Sequence, residues 1–179
     1  MIPAMRALPI VLLLLLAPRP AAAQDVELAG GYSLARDPRD AVTLPAGWIA
    51  GAALDVTSTF SFVAEASGQY HTVELFDGEA TLRVHTVMGG VRAAARLGAL
   101  REFGQVAVGF VQSSGSAFGA TSTFRSLGLQ PGVGLDYPWH RRWAARAQFD
   151  VRLIRSDGGA SNGGVQYRAA FALVYRASR

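Results

Sequence analysis

The chain has 179 residues, of which 50% are hydrophobic and only 17% charged, and it contains no cysteine. That is few charges for a soluble surface, where about a quarter is usual, and the missing thiols exclude disulfides, thiol chemistry and lipidation at cysteine. The formal charge of +4 drops to +2 once Arg6 and Arg19 are set aside, and no basic stripe interleaves with aromatics, so no nucleic-acid footprint is present.

Residues 1–23 read as a signal peptide. Arg6 supplies a positive start, Ile10–Ala17 a short apolar run, and Ala21-Ala22-Ala23 before Gln24 a signal-peptidase site. The run is too short to cross a membrane as a helix, which takes about 20 apolar residues. Residues 24–179 remain as one domain with no apolar stretch of helix-spanning length, so any membrane insertion must use strands.

Eight strands are predicted, over Val26–Leu34, Trp48–Val56, Phe60–His71, Thr81–Arg96, Gly104–Gln112, Ser126–Tyr137, Arg142–Arg155 and Gly164–Arg176. Each reaches or nearly reaches the about 9–11 residues that a tilted strand needs to cross a bilayer. Ala93–Leu100, rich in Ala, Arg and Leu, is the one locally helix-tolerant piece. Long connections are expected over Ala35–Gly47, Thr72–Ala80, Ser113–Phe124 and Ser156–Gly163, and short ones over Thr57–Thr59, Leu97–Phe103 and Pro138–Arg141. Tight turns at one end and long loops at the other are the pattern of a barrel in a membrane.

The seventh strand shows the alternation most plainly. Trp143, Ala145, Ala147, Phe149, Val151 and Leu153 make an apolar face, while Arg142, Arg146, Gln148, Asp150 and Arg152 fall on the other. On the sixth strand, Ser126, Gly128, Gln130, Gly132, Gly134 and Asp136 alternate with uncharged Leu127, Leu129, Pro131, Val133, Leu135 and Tyr137. Small residues with occasional charges suit a crowded lumen better than a water-facing surface. The aromatics fall at strand ends: Tyr32, Trp48, Tyr70, Phe110 and Tyr167 at the external end, and Phe60, Phe62, Tyr137, Trp143 and Tyr175 at the periplasmic end. Amphipathic rings prefer the headgroup layer, so the apolar face is expected to meet lipid. The fourth strand fits least, because Arg83 and His85 share the parity of Val87, Val91, Ala93 and Ala95. Either a bulge near Thr86–Gly90 shifts the phase, or both stand above the bilayer on an extended strand.

On this alternation, the aromatic bands and the loop asymmetry, the chain resembles the small outer-membrane β-barrel domains of diderm bacteria, of the OmpA/OmpX transmembrane type, over residues 24–179. The resemblance implies an all-β fold, an eight-stranded antiparallel up-and-down transmembrane barrel with short periplasmic turns and longer external loops. The chain departs from that pattern after Tyr175, where Arg176-Ala177-Ser178-Arg179 replaces a terminal aromatic residue. With no peptidoglycan-binding segment after the barrel, a cell-wall tether is not expected.

The inward set holds Asp55, Glu65, Gln69, Arg92, Gln130, Asp136, Arg146, Gln148, Asp150, Arg152, Gln166 and Arg168. Buried charges must be paired, so Asp55, Glu65, Arg92, Asp136, Arg146, Asp150, Arg152 and Arg168 are expected to form an interior polar network. Arg146, Asp150 and Arg152 should face Asp136 and Arg168 on the flanking strands. The absence of lysine fits that use of guanidinium forks, and a GC-rich genome produces the same bias. His71 and His85, with Glu74 and Glu79 nearby in sequence, lack the spacing of a metal site. No serine follows either histidine at the spacing a hydrolase of this shape would use, so no catalytic residue is assigned. His140 is expected in a short periplasmic turn, and the glycines around residues 158–164 in a hairpin loop rather than a phosphate cradle.

The expected role is that of an outer-membrane protein without catalysis, cofactor or metal, structural or adhesive through its external loops. The lipid bilayer and an extracellular partner reached through the loops are its expected partners; nucleic acid is not, and the chain is expected to be monomeric. Two alternatives stand beside it: a soluble lipocalin-like barrel with Trp143 and Phe149 facing an apolar ligand, and a narrow pore.

Overall fold

The computed structural model describes residues 25–39, 42–75, 78–117, 120–155 and 164–177. The expected signal peptide and the connection predicted over Ser156–Gly163 lie outside them. The described chain forms nine strands: β1 (Val26–Asp37), β2 (Val42–Leu44), β3 (Ala46–Asp55), β4 (Phe60–Leu75), β5 (Gly78–Leu97), β6 (Leu100–Ala117), β7 (Ala120–Pro138), β8 (Trp143–Ile154) and β9 (Val165–Ala177). From β3 to β9 each strand pairs with the next in sequence, and β1 closes the ring by pairing with both β3 and β9. The β1–β9 ladder runs from Val26↔Ala177 to Arg36↔Tyr167. Closure matters in lipid, where an open edge would leave backbone N–H and C=O groups without partners.

The three-residue β2 continues the line of β3, offset by one residue. β1 pairs Tyr32↔Trp48 in β3 but Ala35↔Leu44 in β2, so three residues on one side oppose four on the other. Pro45 sits in this bulge, where its missing N–H costs no ladder bond. The slip reverses the parity, so Leu44 turns inward and is 1% exposed. The predicted fourth strand, here β5, contains no such bulge. Its register to β4 holds without a slip from Phe60↔Ala93 to Leu75↔Gly78, so Arg83 and His85 stand on an extended strand above the apolar belt.

The short connections are tight. Leu97 pairs with Leu100 across a two-residue turn in which Gly98 has φ 60°, the left-handed value that hairpin turns need at their first loop position. The helix-tolerant stretch Ala93–Leu100 is strand on either side of this turn. Between β3 and β4 the Thr57 hydroxyl accepts from the N–H groups of Thr59 and Phe60. His140 lies in the β7–β8 turn, exchanging backbone bonds with Trp143.

At the other end, two of the expected long loops are strand instead. β4 and β5 remain paired as far as Leu75↔Gly78, and β6 and β7 as far as Ala117↔Ala120. Their Ser/Thr/Gly composition reads as loop, but hydroxyls sustain the pairing across strands: Ser114 with Thr123 at 3.1 Å and Thr72 with Thr81 at 3.4 Å. A hairpin solvated on both sides needs no apolar face. From Phe110 to Ala117, β6 runs on for about 23 Å along the strand at about 3.3 Å per residue.

Trp143 and Phe149 face outward at 38% and 47% exposure, whereas Arg152 and Arg168 are fully buried. That overturns the lipocalin-like alternative, which required the two rings inside. Tyr32, Trp48, Phe110 and Tyr167 ring the outer surface toward the hairpin end, and Phe60, Phe62 and Tyr137 toward the short-turn end, all exposed. Between the two bands Glu102, two residues after the β5–β6 turn, is the single charged side chain on the outward face of the described strands.

Two inward glycines of β7 are steric requirements. A Cβ at Gly134 would meet the Phe103 ring, and one at Gly132 the Asp150 carboxylate. Gly104 has open space around its Cβ position. Gly134→Val should therefore destabilise the barrel by about 1–3 kcal/mol through overpacking, read as a lower urea midpoint in vesicles, while Gly104→Val should leave the midpoint almost unchanged.

Candidate functional site in the barrel lumen

The inward face of β1 carries Glu27, the second residue of the strand, beside the small residues Ala29, Gly31 and Ser33. From there its carboxylate reaches across the lumen. Oε1 accepts from Arg92 of β5 at 2.7 Å and from Arg146 of β8; Oε2 accepts from Arg101 of β6 at 3.2 Å and Arg176 of β9 at 3.3 Å. Asp136 of β7 takes a bidentate fork from Arg146, at 2.7 and 2.9 Å, and a further bond from Arg176. Charge-assisted forks of this kind are the strong end of protein hydrogen bonding. The Phe103 ring lies beside the Arg92 and Arg146 guanidiniums, 4.3 and 4.6 Å from its centroid, and Gln105 accepts two further bonds from Arg92. Asp55, at the rim, accepts from Ser61 and stands 3.8 Å from Arg101.

A second layer lies nearer the hairpin end. Arg168 of β9 bridges Glu65 of β4 at 2.7 Å and Asp150 of β8 at 2.6 Å. Glu65 also accepts from Gln130 and Gln148, both at 3.1 Å. Arg152 was expected to face an acidic neighbour; instead it donates to amide oxygens, Gln130 at 3.0 Å and Gln166 at 2.6 Å. Its Nη2 reaches the Ser67 and Thr86 hydroxyls, which bond each other at 2.7 Å. Gln69 donates to Ser33 and Ser67. Among the described residues, two buried side-chain atoms, Gln69 Oε1 and Arg168 Nη1, have no partner.

Above this the lumen turns apolar. Ala35, Leu44, Val84, Met88, Ala107 and Val111 form a buried cluster, with Val42, Leu82 and Ile154 against it. The cavity between the ionic layers, bounded by Glu27, Glu65, Arg92, Arg146 and Gln148, has about 20 Å³, room for one water. An eight-stranded barrel is narrow enough for side chains to fill it, and here they do.

The eight charged residues expected in the network, Asp55, Glu65, Arg92, Asp136, Arg146, Asp150, Arg152 and Arg168, all point inward, divided between the two layers. Glu27, Arg101, Arg176 and Phe103 were not anticipated. Parity on β1 carried the signal for Glu27, since it shares a face with Ala29, Gly31, Ser33 and Ala35. Arg101 and Phe103 precede the predicted start of their strand, which hid their inward phase. His71 and His85 do not converge: register places His71 on the inner face opposite Leu82, and His85 on the outer face, its ring edge-on to Tyr70 at 5.5 Å. Among the described residues no group of three or more His, Asp or Glu is placed to hold a metal ion.

A closed eight-stranded antiparallel barrel, charged within and apolar between two aromatic bands without, is the architecture of a transmembrane β-barrel. Solved structures of small outer-membrane barrels share the fold. Neisserial surface protein A superposes with a TM-score of 0.68 at 9% identity, over 85% of this chain and 96% of that one. Ail, the attachment invasion locus protein of Yersinia pestis, in complex with the heparin analogue sucrose octasulfate, gives 0.64 at 15% identity, over 87% and 99%. The outer membrane protein OprG from Pseudomonas aeruginosa gives 0.62 at 12%, over 88% and 97%. No protein-family model and no curated protein sequence matches the chain.

Glu27→Gln would leave four converging guanidiniums short of a carboxylate. Breaking a buried pair from one side costs about 3–5 kcal/mol, so this variant should unfold at much lower urea in vesicles. Arg101→Gln, which leaves Glu27 with three other guanidiniums, should cost less and keep a midpoint nearer that of the unaltered chain. Equal midpoints for the two variants would contradict a cross-barrel role for Glu27.

Proposed function

We propose that the protein is exported by residues 1–23 and resides in the outer membrane of a diderm bacterium as a monomer without catalytic activity. Its role is structural or adhesive and is carried by the hairpin end. The observation that carries this reading is the asymmetry of the two ends over a filled lumen. One end closes in tight turns, while β4–β5 and β6–β7 rise past the upper aromatic band as paired hairpins that present Ser, Thr and Gly to the outside. Sites of interaction concentrate on such projecting segments, held in place by a rigid scaffold.

The ionic layers disfavour the pore alternative. Five carboxylates and six guanidiniums in the two layers nearly neutralise one another and are tied into bonds that leave about 20 Å³ between them. An ion would have to displace paired groups to pass.

Trimming residues 72–80 and 113–124 to two-residue turns tests the assignment. The trimmed chain should still fold in vesicles, since the lumen layers lie below the cuts, and cells displaying it should lose severalfold in retention on fixed epithelial cells. In planar bilayers both forms should give no discrete conductance steps. Unchanged retention would overturn the adhesive reading, and steps in the untrimmed chain would replace it with a pore.

A further inference from the structure

We propose that the outward face of β5–β7, at the upper aromatic band, is a binding site for a phosphate-bearing lipid. The register pairs Tyr70 with Arg83, His85 with Gln112, and Gln112 with Arg125. All five face outward, so two arginines, a histidine and an amide share one patch across three neighbouring strands. Directly below them Val87, Phe110 and Leu127 are 66%, 65% and 43% exposed. His85, Val87, Phe110, Gln112 and Arg125 border a notch of about 480 Å³ that opens outward. Polar donors above and apolar surface below is the order in which a lipid presents its headgroup and its chains.

The contrast with the lumen identifies the ligand's charge. Arg92, Arg101, Arg146, Arg168 and Arg176 each meet a carboxylate, whereas Arg83 and Arg125 form no ion pair among the described residues. Arg125 is nonetheless held in place, its Nε donating to Gln112 Oε1 at 2.9 Å, which leaves its terminal N–H groups free to meet an anion. Among the described outward side chains, the carboxylate on these strands nearest in sequence stands apart from the patch. Glu79, on the same strand as Arg83 and facing outward, is four residues up, about 13 Å at the usual strand rise. A guanidinium fork matches a phosphate's oxygens in a bidentate way that a simple point charge does not. The neighbouring Tyr70 and Phe110 set the depth at the headgroup layer.

The inference rests on membrane insertion, so the experiment reads insertion and selectivity separately. The full chain is reconstituted in phosphatidylcholine vesicles, co-flotation with the vesicles reports insertion, and spin-labelled phosphatidic acid and phosphatidylcholine report the lipid held at the protein surface. Phosphatidic acid should be favoured by about fivefold or more, the factor that one arginine contributes to anionic-lipid attraction. Arg83→Gln with Arg125→Gln should bring the ratio near one without loss of flotation, and the matching double lysine variant should retain part of it. Salt of about 1 M, where the screening length is about 3 Å, should weaken the preference. A ratio of one in the unaltered chain, or an undiminished ratio in the double glutamine variant, would overturn the site. Failure to float would instead contradict membrane residence.

Discussion

A charge inside a narrow barrel must be paired there, because no bulk water reaches it and the idealised cost of stranding an ion in a low-dielectric medium is many kcal/mol. Glu27 is where this constraint is concentrated. Its two oxygens receive guanidiniums from β5, β6, β8 and β9, and Arg146 and Arg176 carry the link on to Asp136 in β7. Six of the eight staves are thereby joined through one carboxylate pair, at sequence separations of up to 149 residues. Backbone ladders close the sheet, but they fix neither which face turns in nor the contents of the lumen. The charges do both, since turning this face toward lipid would expose every arginine in it.

The lumen has three tiers with different chemistry. Dense ion pairs occupy the short-turn end, a mixed layer of ions and amides the middle, and an apolar cluster the hairpin end. The tiers differ in what they demand of geometry. Forks onto Asp136 and Asp150 need fixed directions, and Gly132 and Gly134 make the space for Asp150 and for the Phe103 ring beside two guanidiniums. The apolar tier requires only volume, which the β2–β3 bulge supplies by turning Leu44 inward. A barrel filled in this way is stiff, and the interactions proposed for it fall on the hairpins above and the lipid-facing surface around it.

Strand identity is legible from alternation, and facing from the aromatic bands and the small residues of the lumen set, most plainly on β7 and β8, where lumen and lipid residues trade places without interruption. Where sequence reading failed, it failed for physical reasons. The hydroxyl-rich ends of β4 to β7 resemble loops because solvated hairpins carry no apolar face. The expectation that lumen residues are small or polar missed Leu44, Met88 and Val111, since the upper tier is apolar. Glu27 is hidden in the sequence because a lone acid near a strand start looks like a surface acid, and only the fold brings four distant arginines onto it. Strand proximity predicts an acidic partner for Arg152, yet its hydrogen bonds go to amides and hydroxyls. Parity specifies a face; it does not specify the partner across a lumen.

The charged face is sealed inside the barrel and the apolar face meets lipid. The native chain has no cysteine, so single cysteines at adjacent β8 positions read the two faces directly. Phe149 is 47% exposed on the outside and Gln148 is 5% exposed within. In vesicles, Phe149→Cys should react with a lipid-soluble maleimide and Gln148→Cys should resist it. Rapid labelling at 148 with protection at 149 would mean that the barrel's two faces are the other way round.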